Sequence, residues 1–123
     1  MWLPVIGLLL GILAGVVFSI SIPVDYARYT AIAILAALDS ILGAVRSELE
    51  GTYDNEIFVS GLASNMLLAG LLTFLGDRLG VDLYLAAIVA FGVRLFNNLA
   101  VVRRYLLLRG RGSRSAFRRA SEE

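Results

Sequence analysis

The feature that most constrains this chain is an unbroken apolar run near its start. Residues 3–22 form 20 positions without an ionisable side chain. A helix of that length, at ~1.5 Å per residue, matches the ~30 Å hydrocarbon core of a bilayer. No basic stretch precedes the run and no Ala-x-Ala site follows it, so we interpret it as an uncleaved helix rather than a signal peptide. The 59% hydrophobic content of the 123 residues also exceeds that of a soluble domain.

Further apolar segments, separated by short turns, predict an all-α fold: a polytopic transmembrane bundle of four helices. Pro23, Gly51 and Gly80 are typical of residues that begin or end a helix. The predicted helices cover about residues 3–20, 24–50, 57–79 and 82–108. Residues 1–108 would form the membrane domain. Residues 109–123 are rich in Arg, Gly and Ser, and they predict a disordered cytoplasmic tail.

The arginines predict the orientation. Every basic residue is Arg, and seven of the eleven lie between residues 103 and 119. Because cytoplasmic flanks of spanning helices are enriched in basic residues, Arg46, Arg103 and Arg104 should mark the cytoplasmic interface. The C-terminus is then cytoplasmic and, with four spans, so is the N-terminus. Three spans result if the first two segments instead form a re-entrant hairpin.

Several polar residues fall at a common depth in the predicted membrane. From the cytoplasmic boundary, Asp39 lies ~10 Å inside, Asn65 ~12 Å and Arg94 ~13 Å, with Asn97 and Asn98 slightly shallower. A lone charge at mid-membrane costs ~2.5–3.5 kcal/mol, whereas a carboxylate and a guanidinium can pair through bidentate hydrogen bonds. We therefore predict an Asp39–Arg94 contact inside the bundle, with Asn65 and either Asn97 or Asn98 nearby.

Two interpretations of this polar cluster stay open. It could be structural and fix the register and partners of the helices, as small residues beside the polar positions of the second and third helices favour. It could instead be a binding site or a pathway for ions or protons, which intramembrane ionisable residues often mark.

The first helix carries a glycine stripe, Gly7, Gly11 and Gly15, at intervals of four residues. This doubled G-x-x-x-G pattern indicates close packing against another helix, from the same chain or from another copy. General glycine enrichment in membrane helices is the alternative explanation.

Composition argues against catalysis. The chain has no Cys, His or Lys, so it lacks thiolate and imidazole ligands, His-based triads and lysine Schiff bases. Intramembrane aspartyl chemistry needs two neighbouring carboxylates, and Asp39 is the one acid predicted at depth. We expect no enzyme activity, no metal and no cofactor. Asp77, Arg78 and Asp82 are interpreted as a solvated turn, as is the acidic turn after the second helix.

Five stretches resemble the bacterial "small basic protein" family of integral membrane proteins, whose function is unknown. They are residues 1–4, 22–29, 33–40, 83–87 and 91–100, together with the Arg103–Arg104 pair. The resemblance covers roughly residues 1–108 and implies a bacterial plasma-membrane protein with a loose link to cell division and the envelope. It implies no catalytic residues.

The sequence therefore predicts a structural or interaction protein that oligomerises in the lipid bilayer and contacts other membrane or division proteins. An oligomeric channel or transporter built on the polar cluster is the alternative. The Arg-rich tail is expected to meet anionic lipid headgroups, and no nucleic-acid partner is expected.

Overall fold

The chain folds into four α-helices, which confirms the predicted all-α class. The computed structural model describes residues 2–122, with the side chains of 113–117 and 120–122 left aside, so Glu123 of the predicted tail lies outside the described residues. The helices are α1 (Trp2–Phe18), α2 (Ala27–Leu49), α3 (Asn55–Leu79) and α4 (Tyr84–Glu122), with a 3-10 turn at Val24–Tyr26.

The turns show why the helices end where they do. Gly51 and Gly80 follow α2 and α3 with φ of 74° and 68°, in the left-handed region that glycine adopts without steric cost. Asp54 begins α3 as its N-cap, because its side chain accepts hydrogen bonds from the backbone N–H groups of Glu56 and Ile57. As a result α3 starts two residues before the predicted Ile57.

Three helices, α2 to α4, are long and apolar enough to cross a membrane. The first helix has 17 residues, a length of ~26 Å against a hydrocarbon core of ~30 Å. The architecture is therefore compatible with a multi-pass membrane protein, and the predicted crossing by α1 stays a prediction.

The second helix is the centre of the bundle. It packs against both α3 and α4, which have few contacts with each other. The core at these two interfaces consists of Ile32, Ala36, Ala69, Ala87 and Phe91. Three of these five residues are alanines, so the helix backbones come close together, as in membrane proteins that associate through small side chains.

Large apolar side chains cover the outside of the molecule. Leu67, Phe96 and Leu107 are each more than 60% exposed. In water such a surface would drive aggregation, whereas lipid solvates it. The burial pattern therefore agrees with the helix lengths.

The fourth helix differs from the prediction at its end. It continues through residues 109–122 instead of ending near Leu108 in a disordered tail. The segment contains no proline, and its Arg, Leu and Ala residues favour helix, which offsets the ~1 kcal/mol that Gly110 and Gly112 each cost relative to alanine. Arginines near a helix C-terminus also interact favourably with the helix dipole.

Candidate functional site: the buried charge pair

One face of α2 positions the polar groups. Ala36, Asp39, Gly43 and Arg46 recur at intervals of three or four residues, so they lie on one side of the helix. Both Ala36 and Asp39 are fully buried. A Cβ atom added at Gly43 would lie 3.7 Å from the side-chain nitrogen of Asn98, which shows how closely α4 approaches this face.

The structure brings Asp39 and Arg94 together, as their predicted depths require. Arg94 Nη2 lies 3.1 Å from Asp39 Oδ2. The Asp39 side chain is completely buried, whereas 56% of the Arg94 side chain is exposed. The alignment falls short of a hydrogen bond, so neither carboxylate oxygen accepts one from the described residues. The pair is thus one close ionic contact rather than the bidentate arrangement these groups can form.

The asparagines lie at neighbouring contacts and not on the charge pair itself. Asn98 accepts a hydrogen bond from Arg46 Nη1 at 3.3 Å, which links α2 to α4. Asn65 donates to Ser40 Oγ at 3.2 Å, which links α2 to α3. Asn97 is exposed. Of the two alternatives on α4, Asn98 is therefore the one inside the bundle.

The predicted interface arginines have different environments. Arg46 donates through Nε to Glu50 at 3.0 Å, in addition to its bond with Asn98. Arg103 and Arg104 are exposed on α4. Arg46 therefore helps to hold the bundle together, whereas Arg103 and Arg104 are available to the surroundings.

Sequence reasoning missed a second polar network, where α2 begins and α3 ends. Arg28 lies 3.0 Å from Asp77 and 3.8 Å from Asp82. Tyr29 donates a hydrogen bond to Asp77 at 3.0 Å, and the Arg28 guanidinium lies 4.5 Å from the ring centroid of Tyr84. The solvated turn predicted here is instead a clasp between α2, α3 and the start of α4. Opposite charges at three helix ends that meet at one level were the signal for it.

The first helix makes few contacts with the rest of the bundle. A Cβ atom added at Gly7, Gly11 or Gly15 would meet nothing within 4 Å. Gly7 and Gly11 line an apolar groove of about 650 Å³ between α1, α2 and α3, together with side chains such as Ile34 and Val59. The described residues therefore supply no close packing partner for the glycine stripe, and packing against another copy stays a prediction.

No metal site is evident in the described part of the chain, since it contains no group of three or more His, Cys, Asp or Glu side chains that could hold an ion. The acidic turn after α2 is engaged in other ways. Glu50 pairs with Arg46, and Asp54 caps α3.

The fold and the site define a class: small all-α proteins whose membrane-compatible helices bury an ion pair. Within that class, the chain belongs to the family described as "Protein of unknown function (DUF1290)", which matches residues 22–107. It is similar to the "Small basic protein" of Bacillus subtilis (strain 168), with 58% identity over 107 residues, 87% of this chain and 88% of the relative. The resemblance predicted from sequence is confirmed.

A second relative is more distant. An uncharacterized protein of Mycobacterium tuberculosis (strain ATCC 25618 / H37Rv) is 42% identical over 101 residues, which cover 80% of this chain and 84% of the relative. No solved structure matches the chain.

Proposed function

We propose that this chain is a non-enzymatic structural component of the bacterial plasma membrane, with its C-terminus in the cytoplasm, that assembles with further copies of itself. The face of α4 that carries Arg94 and Asn97 is the proposed contact between copies. The link to cell division or envelope assembly, and the contact with other membrane proteins, extend this proposal through the family resemblance.

The exposed fraction of Arg94 is the observation that carries the proposal. More than half of this side chain is uncovered although the residue belongs to a helix long enough to cross a membrane. A guanidinium facing acyl chains at that depth is costly, and Asp39 contacts only one of its nitrogens. The arrangement is therefore incomplete in a single copy, and a neighbouring protein surface would complete it.

This face of α4 is suited to a second copy. Asn97 lies one helical turn from Arg94 and is exposed, and its amide both accepts and donates hydrogen bonds. Across a twofold axis, Arg94 of each copy can donate to Asn97 of the other. The Asp39–Arg94 pair carries no net charge, so two such sites do not repel each other strongly. Ala90 is small and exposed on the same flank, which permits close approach.

The separation of α1 from the bundle supports an interaction role as well. Its open glycine stripe and the apolar groove beside it provide a further surface for a membrane helix. The absence of Cys, His and Lys from the sequence also favours a non-enzymatic role.

Single-cysteine cross-linking tests the proposal, and the chain offers a clean background because it has no native cysteine. Near a twofold axis, Asn97→Cys should form a disulfide-linked dimer in membranes. Leu99→Cys is the matched control, since this exposed residue lies two positions away and about 200° around the helix. The intact mass in mild detergent should be a multiple of the chain mass.

The outcomes separate the two parts of the proposal. A monomeric mass together with no cross-link at either position would refute self-assembly. An oligomeric mass with cross-linking only at Leu99→Cys would keep the assembly and move the interface to another face of α4.

Transport is the second candidate, because the buried Asp39 carboxylate has no hydrogen bond from the described residues and lies beside an outward-facing guanidinium. Intramembrane pairs of this kind can mark a pathway for ions or protons. Flux into liposomes, compared with an Arg94→Ala variant, tests this function. If vesicles containing the protein are no leakier to protons and small ions than empty vesicles, transport is excluded for those solutes.

A further inference from the structure

The extension of α4 creates a basic surface that the charge pair and the proposed interface do not use. A shallow depression of about 420 Å³ lies on this helix. It is lined by Ala100, Arg103, Arg104, Leu107, Leu108 and Arg111. Because the helix continues beyond Leu108, Arg111 stands two turns from Arg104 on the same face, ~10 Å further along the axis.

The positive charge of this surface is not neutralised by the protein. The sequence has no acidic residue between positions 83 and 121. Within the part of the chain that the structure describes, the ion pairs involve Arg28, Arg46 and Arg94, and none involves an arginine of the depression. All three of its arginines are exposed. They are therefore free to bind an external anion.

The apolar members of the depression indicate which kind of anion. Leu107 and Leu108 are 62% and 55% exposed and lie between Arg104 and Arg111 along the helix. A free phosphate would use the guanidinium groups and leave these leucines uncovered. A phospholipid offers a phosphate for the arginines and an acyl chain for the leucines. Guanidinium groups suit phosphate because their planar N–H donors match its oxygens.

We propose that Arg103, Arg104 and Arg111 form a binding site for the phosphate group of an anionic phospholipid at the membrane boundary. The lipid's acyl chain lies along Leu107 and Leu108. This site is independent of contacts between copies and of the buried charge pair, so the scaffold proposal and the lipid proposal can fail separately.

Lipid binding to the full chain in mild detergent tests the site. The probes are phosphatidylglycerol, phosphatidylcholine and inorganic phosphate, and binding is followed by the mass of the intact protein–lipid complex. Each basic residue near an anionic membrane surface contributes ~1 kcal/mol, so Arg104→Gln or Arg111→Gln should weaken phosphatidylglycerol binding about fivefold. Phosphatidylcholine should bind more weakly to the unaltered protein.

Arg109→Gln is the matched control. It removes the same charge from the same segment, but Arg109 lies about 140° around the helix from Arg104 and does not line the depression. All three substituted arginines are exposed, so the variants should melt at the same temperature as the unaltered chain. Binding should be nearly unchanged in Arg109→Gln.

Three results would overturn the proposal. If Arg109→Gln weakens binding as much as Arg104→Gln, the attraction is diffuse and no site exists. If phosphatidylcholine binds as tightly as phosphatidylglycerol, the arginines do not select an anion. If inorganic phosphate displaces the lipid at equal concentration, the ligand is the free anion and the leucines have no role.

Discussion

The charge pair predicts that its two members are unequal in their effect on stability. Asp39 is completely buried, whereas Arg94 is 56% exposed. Replacing Arg94 with glutamine leaves a buried carboxylate without a counter-charge. Replacing Asp39 with asparagine leaves a guanidinium that can turn outward or donate to the amide. Arg94→Gln should therefore destabilise the protein more than Asp39→Asn.

The structure sets the scale of this difference. At the 3.1 Å separation of the charged atoms, the Coulomb attraction is about 5 kcal/mol for an effective dielectric constant of about 20. Desolvation offsets much of that attraction. Removal of one partner of a buried pair nevertheless costs about 3–5 kcal/mol, because the remaining charge is uncompensated. We expect that range for Arg94→Gln, and about 1–2 kcal/mol for Asp39→Asn, where a hydrogen bond to a charged group is weakened.

Reversible unfolding by a denaturing detergent, followed by circular dichroism, measures these free energies. The double variant Asp39→Asn with Arg94→Gln contains no charge at the site, so it should be about 2 kcal/mol more stable than Arg94→Gln alone. Arg78→Gln, at an exposed position, controls for loss of an arginine. Equal effects of the two single substitutions, or a double variant whose loss equals their sum, would refute the reasoning.

The remaining predictions concern the helix ends. Gly76→Ala should unfold more easily than Gly70→Ala by about 1–3 kcal/mol, because a Cβ atom at Gly76 would lie 2.5 Å from the backbone oxygen of Val81 while one at Gly70 meets nothing; equal stability of the two variants would contradict this. Asp54→Ala should cost about 1 kcal/mol through loss of the α3 N-cap, and Asp54→Ser should restore most of it; denaturant titration measures both. Burial, followed by the charges of Glu48 and Asp54, raises the pKa of Tyr53 above the ordinary 10.0. Its stabilising contribution is therefore present below that pH and lost above it. Phenolate absorbance, with Tyr53→Phe as reference, should show Tyr53 ionising last among the tyrosines, and ionisation before an exposed tyrosine would disprove it.

The sequence was sufficient for the helices and for the central contact, because both follow from one physical constraint. Lipid solvates apolar runs and does not solvate lone charges, so segment length and the depths of Asp39 and Arg94 left few arrangements. Which asparagine faces inward was not determined, since Asn97 and Asn98 differ by only 100° around the helix.

Other features depend on information that periodicity does not contain. The Arg28–Asp77 clasp joins residues 49 positions apart, and its formation depends on how closely the helix ends meet. The continuation of α4 past Leu108 reflects a balance of small propensities, in which two glycines compete with several favourable residues. Composition alone indicated the opposite outcome for that segment.

The position of the charge pair in the chain also affects biosynthesis. Arg94 leaves the ribosome 55 residues after Asp39, a delay of roughly 3–11 s at bacterial and eukaryotic elongation rates of about 5–20 residues per second. During that interval α2 carries an acid whose counter-charge does not yet exist, although α3 is already emerging. The insertion machinery must therefore shelter α2 from the acyl chains until α4 arrives, so that these helices enter the bilayer as a group and not one at a time.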